Sequence, residues 1–300
     1  MSVLAGTGAP AGRARRALMF SGVRRAVGRS AAVRAGGGLL ILIIGACVLV
    51  PVFWPDATNA FVTAPFAPPS LAHPFGSDDL GRDVFVRTLA GGRIDIAVAA
   101  AVVAISCTAG TIIGACAGSS KRRWASLTVA RLVDAFIAFP YLVTILVLVV
   151  IVGPSAQIGP APRGLTAVLI AFLVLGWTFY ARLARAEAMT IRQRDYIVAA
   201  EILGYPRRKI IFRHILPGVV PVTIAYAVAD AILTMGALSS FAFLGVGVQP
   251  PTPEWGAIMY EGRAYLDSAW WITVCPGLLL ALTGFALSLL ADGLLRGADD

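Results

Sequence analysis

Residues 36–54 read GGGLLILIIGACVLVPVFW, nineteen in a row without a charge. At about 1.5 Å per helical residue, such a run crosses a hydrocarbon core about 30 Å thick. It is longer than the apolar region of a usual cleaved leader, and the cationic arm ahead of it is long, so it is predicted to remain as a first membrane span. Five further runs follow, at 96–117, 132–152, 164–181, 218–245 and 268–291. The second of these contains one acid, Asp134, and a proline, Pro140; the fourth contains one acid, Asp230. The last opens on Trp270 and Trp271, a pair suited to the membrane interface. Prolines and glycines inside such runs are tolerable because neighbouring helices re-satisfy the freed backbone groups.

Composition agrees. Of 300 residues, 58% are hydrophobic and 14% charged, with a mean hydropathy of +0.81. Soluble domains hold nearer a quarter charged residues, so there are too few here to cover a water-soluble fold. The same balance excludes a disordered chain and leaves little room for a catalytic domain. The fold class predicted is all-α integral membrane, with six transmembrane helices.

The net charge of +9 does not point to nucleic acid, because the basic residues flank apolar runs and form no face with interleaved aromatics. Placing both termini on one side puts twenty Lys and Arg on that side and five on the other. Basic residues stay on the cytoplasmic side, which gives an N-in, C-in topology. Residues 1–35 form a basic cytoplasmic segment, 36–54 the first span, 55–93 an outside segment, 94–291 the remaining transmembrane domain and 292–300 a cytoplasmic tail. In the outside segment, Ser77 followed by Asp78 and Asp79 is predicted to cap a helix start.

Cys47, Cys107, Cys116 and Cys275 all fall in apolar runs, with no C-x-x-C, and are read as buried free thiols. His73 and His214 have no second ligand at metal spacing, so no metal site is expected. The chain has no G-x-x-x-x-G-K-[ST] loop, G-x-S-x-G or H-E-x-x-H, so any ATP used must be bound by another chain.

The loop at 189–217 reads MTIRQRDYIVAAEILGYPRRKIIFRHILP. Tyr196, Ala199, Ala200 and Leu203 fall at i, i+3, i+4 and i+7, which predicts a one-sided helix. Gly204 permits a turn through positive φ, Pro206 suits a first helical position, and a second short helix is expected over 206–214, ended by Pro217. A basic helix lying on anionic lipid is the alternative. The small Ala199 and Ala200 pair and the Gly–Pro break instead favour docking into a protein groove.

This loop resembles the EAA loop of ABC importer permeases: two alanines, three residues, glycine, nine residues, then I-x-L-P. Ala199, Ala200, Gly204, Leu216 and Pro217 match with the spacing intact; His214 stands at the isoleucine position and Val198 at the glutamate position, with Glu201 three residues on. Over residues 36–296 the chain is similar to the C-type permease subunit of dipeptide and oligopeptide importers. The matching segments are HPFGSDDLGRDV at 73–84, RLVD at 131–134 with Phe139 and Pro140, YARLAR at 180–185, FLGVGVQPP at 243–251 with Trp255 and Gly256, and ADGL at 291–294.

The resemblance implies a type I importer permease fold with a cytoplasmic coupling loop and no catalytic residue. Ala199, Ala200, Glu201, Gly204, Pro206, Arg207, Arg208, Ile211, His214, Leu216 and Pro217 would couple to an ATPase, with Gly204 as the contact and Arg207 and Arg208 facing acids on its surface. The implied partners are a second homologous permease, two cytoplasmic ABC ATPase domains that bind ATP and Mg, an extracytoplasmic substrate-binding protein and membrane lipid, without nucleic acid. The protein would sit in the bacterial inner membrane and carry di- or oligopeptides; nickel chelate or haem is the alternative cargo, and a secondary transporter or membrane scaffold the alternative class. Arg131 and Asp134, three apart, are expected to form an ion pair. Asp230, near the middle of its span, is a candidate for the transport pathway.

Overall fold

The computed structural model describes residues 31–54, 58–153, 156–159 and 161–299. The basic arm over 1–30 lies outside these. Among the described residues the fold is all-α, relieved only by an isolated bridge between Ser77 and Asp83. The elements are α1 (Ala31–Phe53), α2 (Val84–Gly118), α3 (Arg123–Ile137), α4 (Tyr141–Val152), α5 (Leu165–Arg192), α6 (Asp195–Ile202), α7 (Arg207–Ile210), α8 (Leu216–Phe243), α9 (Trp255–Gly262) and α10 (Trp271–Asp299).

Five of the long helices can cross a membrane by length and composition: α1, α2, α5, α7 with α8, and α10. The run at 132–152, predicted as one span, is instead covered by two helices, α3 and α4, set at 87°. Pro140 is the cause. It lacks an amide, its ring disfavours helical geometry at Phe139, and its own ψ is 122°. Only if this bent pair counts as one crossing does the number reach six.

α2 and α5 form the spine. Gly110, Gly114 and Gly118 recur every four residues along α2, and a Cβ at any of them would collide with the carbonyl oxygen of Trp177, Ala181 or Arg185 on α5. Those three residues have the same four-residue spacing, so a ridge of one helix lies in a groove of the other. Lipid gives no hydrophobic drive to this pairing, and close approach of small residues supplies packing in its place. A second close crossing, at Gly36 against Ala286 and Leu289, sets α1 on α10. α4 buries Ile145 and Val149 in a cluster with Phe172 and Leu175 of α5 and Phe241 of α8.

One end of the bundle is closed by buried charge. The predicted cap at Ser77 is corrected: α2 begins at Val84, and its N-cap is Asp83, which accepts from the amides of Phe85 and Val86 at 2.8 and 3.1 Å. Ser77 is buried and donates instead to the Ala64 carbonyl. Asp78 accepts from the Arg82 amide and from Arg82 Nε at 2.8 and 2.6 Å, folding that acid into a turn ahead of the helix. Arg82 and Arg87 both reach Glu261 Oε2, at 3.2 and 3.0 Å, tying the 58–83 segment and α2 to α9. Trp255 donates Nε1 to the Thr88 carbonyl, and Trp271 to that of Ser77.

At the start of α9, the Glu254 carboxylate accepts from the Ala257 amide at 2.8 Å and sits fully buried beside Asp95 of α2, whose carboxylate accepts from the Trp255 amide. Burial raises the Glu254 pKa, because a charged carboxylate is costly away from water, and hydrogen bonds to Gly256, Asp95 and Ala257 only partly oppose this.

Two predictions follow from these contacts. Gly114→Leu would force α2 off α5, and the variant is expected to be lost from the membrane fraction while Gly45→Leu, whose Cβ would meet nothing within 4 Å, accumulates normally. For Glu254, a raised native pKa means that its proton stabilises the fold fully below the ordinary carboxyl value, an advantage lost as pH rises through the native value. Glu254→Gln keeps an acceptor for the cap and removes the charge, so its thermal midpoint relative to the parent is expected to climb with pH. Glu254→Ala, which removes the charge and the cap together, should follow the same pH trend but lie about 1 kcal/mol below Glu254→Gln at every pH.

Candidate functional site

At the opposite, basic end, α5 runs eleven residues beyond the predicted end of its span and finishes at Arg192. The chain then makes an elbow: α6, a reversal at Gly204, α7, and entry into α8. Gly204 has φ +73°. The Gly204 amide donates to the Glu201 carbonyl and the Tyr205 amide to the Ala200 carbonyl, at 3.1 Å each, the pattern that ends a helix through a left-handed glycine. A Cβ on Gly204 would meet nothing within 4 Å. Its role is therefore conformational within this chain, and the expected contact at Gly204 corresponds to an open surface.

Pro206 is the N-cap of α7 and not its first helical residue as predicted, with φ −62° and ψ 138°, so the helix starts one residue later, at Arg207. The second helix does not end at Pro217. It passes through a π turn at Ile211–Ile215 and continues as α8, with Pro217 in the first turn. A proline has no amide for the preceding turn and its ring crowds the carbonyl four residues back. The widened turn directly ahead absorbs both effects, so the elbow and the long helix α8 are continuous.

The buried face of α6 also differs from the predicted stripe. Ile197 and Ala200 point inward and pack with Ile210, Ile215 and Val219 against Ala115 of α2 and Ala184, Ala188 and Ile191 of α5. Tyr196, Ala199 and Leu203 face outward. Almost every position from 196 to 203 is apolar, so periodicity alone could not choose the face. The consequence is an exposed apolar surface in the most basic part of the chain: Ile202 is 81% and Leu203 72% exposed, flanked by Val198, Tyr205 and Phe212.

Polar contacts fix the elbow to the turn between α2 and α3. Lys121 Nζ pairs with Glu201 Oε2 at 2.8 Å, and this partner lowers the Glu201 pKa. Arg207 Nη2 donates to the Ser119 carbonyl and Arg192 Nη1 to that of Ser120, at 3.3 and 3.2 Å. Arg207 is thus tethered to the turn through one nitrogen while its side chain, like that of Arg208, is exposed. Lys209 lies 4.0 Å from the centre of the Tyr205 ring, whose neighbour is the His214 ring. Ile211 is buried, and His214, Leu216 and Pro217 are half-buried. No sequence motif marks Ser119, Arg192 or Ile197 as part of the elbow; for Lys121 the basic KRR run at 121–123 is the one signal.

The other two candidates lie elsewhere. Arg131 and Asp134 are both exposed on α3, and no ion pair forms between them. Two solvated charges gain little by meeting, and holding both side chains in one geometry costs entropy. Asp230 of α8 accepts a hydrogen bond from the Tyr180 hydroxyl of α5 at 2.8 Å. Among the described residues no group of three or more His, Cys, Asp or Glu could hold a metal.

Residues 110–299, which contain the elbow and Asp230, match the family described as binding-protein-dependent transport system inner membrane component. The chain belongs to this family. A protein of Brucella suis named as a peptide transport system permease is 37% identical over 274 residues, covering 89% of this chain and 86% of its own. The di/tripeptide transport system permease protein DppC of Pseudomonas aeruginosa is 35% identical over 277 residues, 88% of this chain and 86% of that one. The dipeptide transport system permease protein DppC of Alkalihalophilus pseudofirmus is 33% identical over 269 residues, 86% and 84%. The protein is a multi-pass inner-membrane permease and a non-catalytic subunit, its family working with separate permease, ATPase and binding-protein components.

In this permease the reversal at Gly204 should be sensitive to any Cβ. A left-handed backbone costs an L-residue about 1–2 kcal/mol. Gly204→Ala is expected to loosen the end of α6 and to speed tryptic cleavage after Arg207, Arg208 and Lys209 in the detergent-purified protein. Gly204→Asn, which tolerates this backbone better, should fall between Gly204→Ala and the parent.

Proposed function

We propose that this permease moves di- or oligopeptides inward across the bacterial inner membrane, delivered by an extracytoplasmic binding protein and driven by ATP hydrolysed on two partner ATPase domains. The names of its relatives support peptide cargo over nickel chelates or haem. A second, homologous permease completes the pathway as a heterodimer. ATP and Mg are held by the ATPases, and this chain itself binds no cofactor. The basic end faces the cytosol, as the distribution of Lys and Arg supports, and the end closed by buried charge faces the binding protein.

The observation that carries this reading is the exposed apolar face of Ile202 and Leu203, held out from the bundle by an elbow whose inner face is buried. Exposed apolar surface in a basic, water-facing segment is costly unless a partner covers it. A groove on the ATPase is the partner that fits, with Arg208 at the rim available to an acid. When the ATPases close on ATP, the elbow moves with its groove. Because α7 runs through the π turn into α8, that motion reaches the membrane without a flexible joint. The two permeases then exchange inward-open and outward-open arrangements, each biased by the state of the distant nucleotide sites.

The double variant Ile202→Asp, Leu203→Asp tests this. It is expected to leave the permease in the membrane and abolish co-purification of the ATPase subunits. Retention of the ATPases at the parental level would show that this face is not the contact.

A further inference from the structure

Asp230 is a carboxylate on a membrane-spanning helix, where charge is costly and is retained for a purpose. Tyr180 donates to its Oδ2 at 2.8 Å, and that is its sole hydrogen-bond partner among the described residues. Among the described residues no Lys, Arg or His lies within ion-pair distance. The carboxylate opens into a cavity of about 490 Å³ between α4, α5 and α8, lined by Tyr141, Phe179, Tyr226, Thr234 and Ser240 as well as Asp230. The Tyr180 and Tyr226 rings meet edge to face with centres 5.1 Å apart, and Tyr141 meets Phe179 at 5.9 Å in the same manner. One half-satisfied anion is therefore surrounded by aromatic rings.

The composition of this site selects among ligands. A divalent metal needs several oxygen or nitrogen ligands, and a single carboxylate with neutral hydroxyls supplies too few. A proton relay needs a second acid or imidazole to pass the proton on, and none lines the cavity. An organic cation fits both halves of the site: its charge is met by the carboxylate, and its N–H or C–H periphery by the negative faces of the rings. An ammonium group also donates several hydrogen bonds, which the free carboxylate oxygen and the Tyr226 and Thr234 hydroxyls, each one helical turn from Asp230, can accept.

We propose that Asp230, held by the Tyr180 hydroxyl and flanked by the rings of Tyr226, Tyr141 and Phe179, forms a transit subsite inside the permease for the primary ammonium group of the cargo. The inference rests on the transport reading above and adds the chemistry that the pathway recognises. A peptide presents one amino-terminal ammonium whatever its side chains, so a single carboxylate suffices as a common handle. The remaining wall, with Leu142, Leu233, Ala237 and Gly176, is apolar and gives the side chains no hydrogen bonds to satisfy.

The test uses the complete importer, with both permeases, ATPases and binding protein, in proteoliposomes, with radiolabelled dialanine at a concentration that saturates the binding protein. Asp230→Asn is expected to lower ATP-dependent uptake per assembled complex about tenfold, and Asp230→Glu to stay within about threefold of the parent. Tyr226→Leu, which removes the ring, should fall in parallel with Asp230→Asn, while Tyr226→Phe, which keeps it, should fall less. Parental uptake in Asp230→Asn, or an Asp230→Glu variant as defective as Asp230→Asn, overturns the subsite. If Asp230→Asn fails to assemble, as it would were Asp230 paired to a base on the second permease, Tyr226→Leu decides: parental uptake there overturns the proposal and reduced uptake supports it. No ATP-dependent uptake by the parent importer would remove the transport reading itself, and the subsite with it.

Discussion

The contact between α2 and α5 is the constraint on which the rest depends. Three glycines at four-residue spacing let the two backbones touch, and everything at the basic end is built on the pair so formed. Ala115 lies next to Gly114 in that seam, and Ala184 and Ala188 continue it along α5. These small side chains form the floor onto which Ile197, Ala200, Ile210 and Ile215 of the elbow are pressed. A bulky residue at any glycine would separate the helices and remove the floor together with the spine. The rigidity needed of a coupling element thus originates in the membrane, in residues far from the surface presented to a partner.

The two ends of the bundle are held by different physics. At one end the chain buries an ion network of Arg82, Arg87, Asp78 and Glu261, and beside it the Glu254 and Asp95 carboxyls share a hydrogen bond. Buried ions contribute little net stability, since desolvation offsets their attraction, but they penalise any arrangement that leaves one unpaired. Such a network specifies how the long outer segments sit on α2 and α9. At the other end the core is apolar and the polar contacts lie at its edge, so the elbow is anchored by burial while its outward face remains free to be covered.

Much of this was legible in the sequence, for identifiable reasons. Most spans follow from long uncharged runs, whereas the run at 132–152 also reads as one span and only the structure shows that Pro140 bends it by 87°. The importer resemblance rested on fixed spacings, which survive substitution because Gly204 and Pro217 act on the backbone. Faces were less legible. The YIVAAEIL segment at 196–203 is apolar almost all round, so the side that Ile197 chooses is decided by the alanines of α5, a hundred degrees of rotation that no local pattern encodes. Ser77 resembled a cap because acids follow it, yet Asp78 is used to hold Arg82, and the capping task passes to Asp83. The contacts of Lys121, Arg192 and Arg207 join segments 70 to 90 residues apart, and a single sequence carries no signal for such pairing.

Val198 stands where the family pattern has glutamate, and the elbow shows why this substitution is tolerated. Val198 is exposed and makes no core contact, while Glu201, three residues on, reaches Lys121. Three residues is about 300° of helical rotation, so the two positions lie on neighbouring parts of one face and an acid at either can meet the α2–α3 turn. The pair is largely solvated, and exposed pairs contribute about 0–1 kcal/mol. Each buried isoleucine of the elbow contributes about 1.5–3 kcal/mol. Three of these, Ile197, Ile210 and Ile215, outweigh the ion pair several-fold. Anchoring therefore survives the loss of the glutamate at 198, and what the pair adds is direction: it holds the end of α6 toward Lys121, so that Ile202 and Leu203 point away from the bundle.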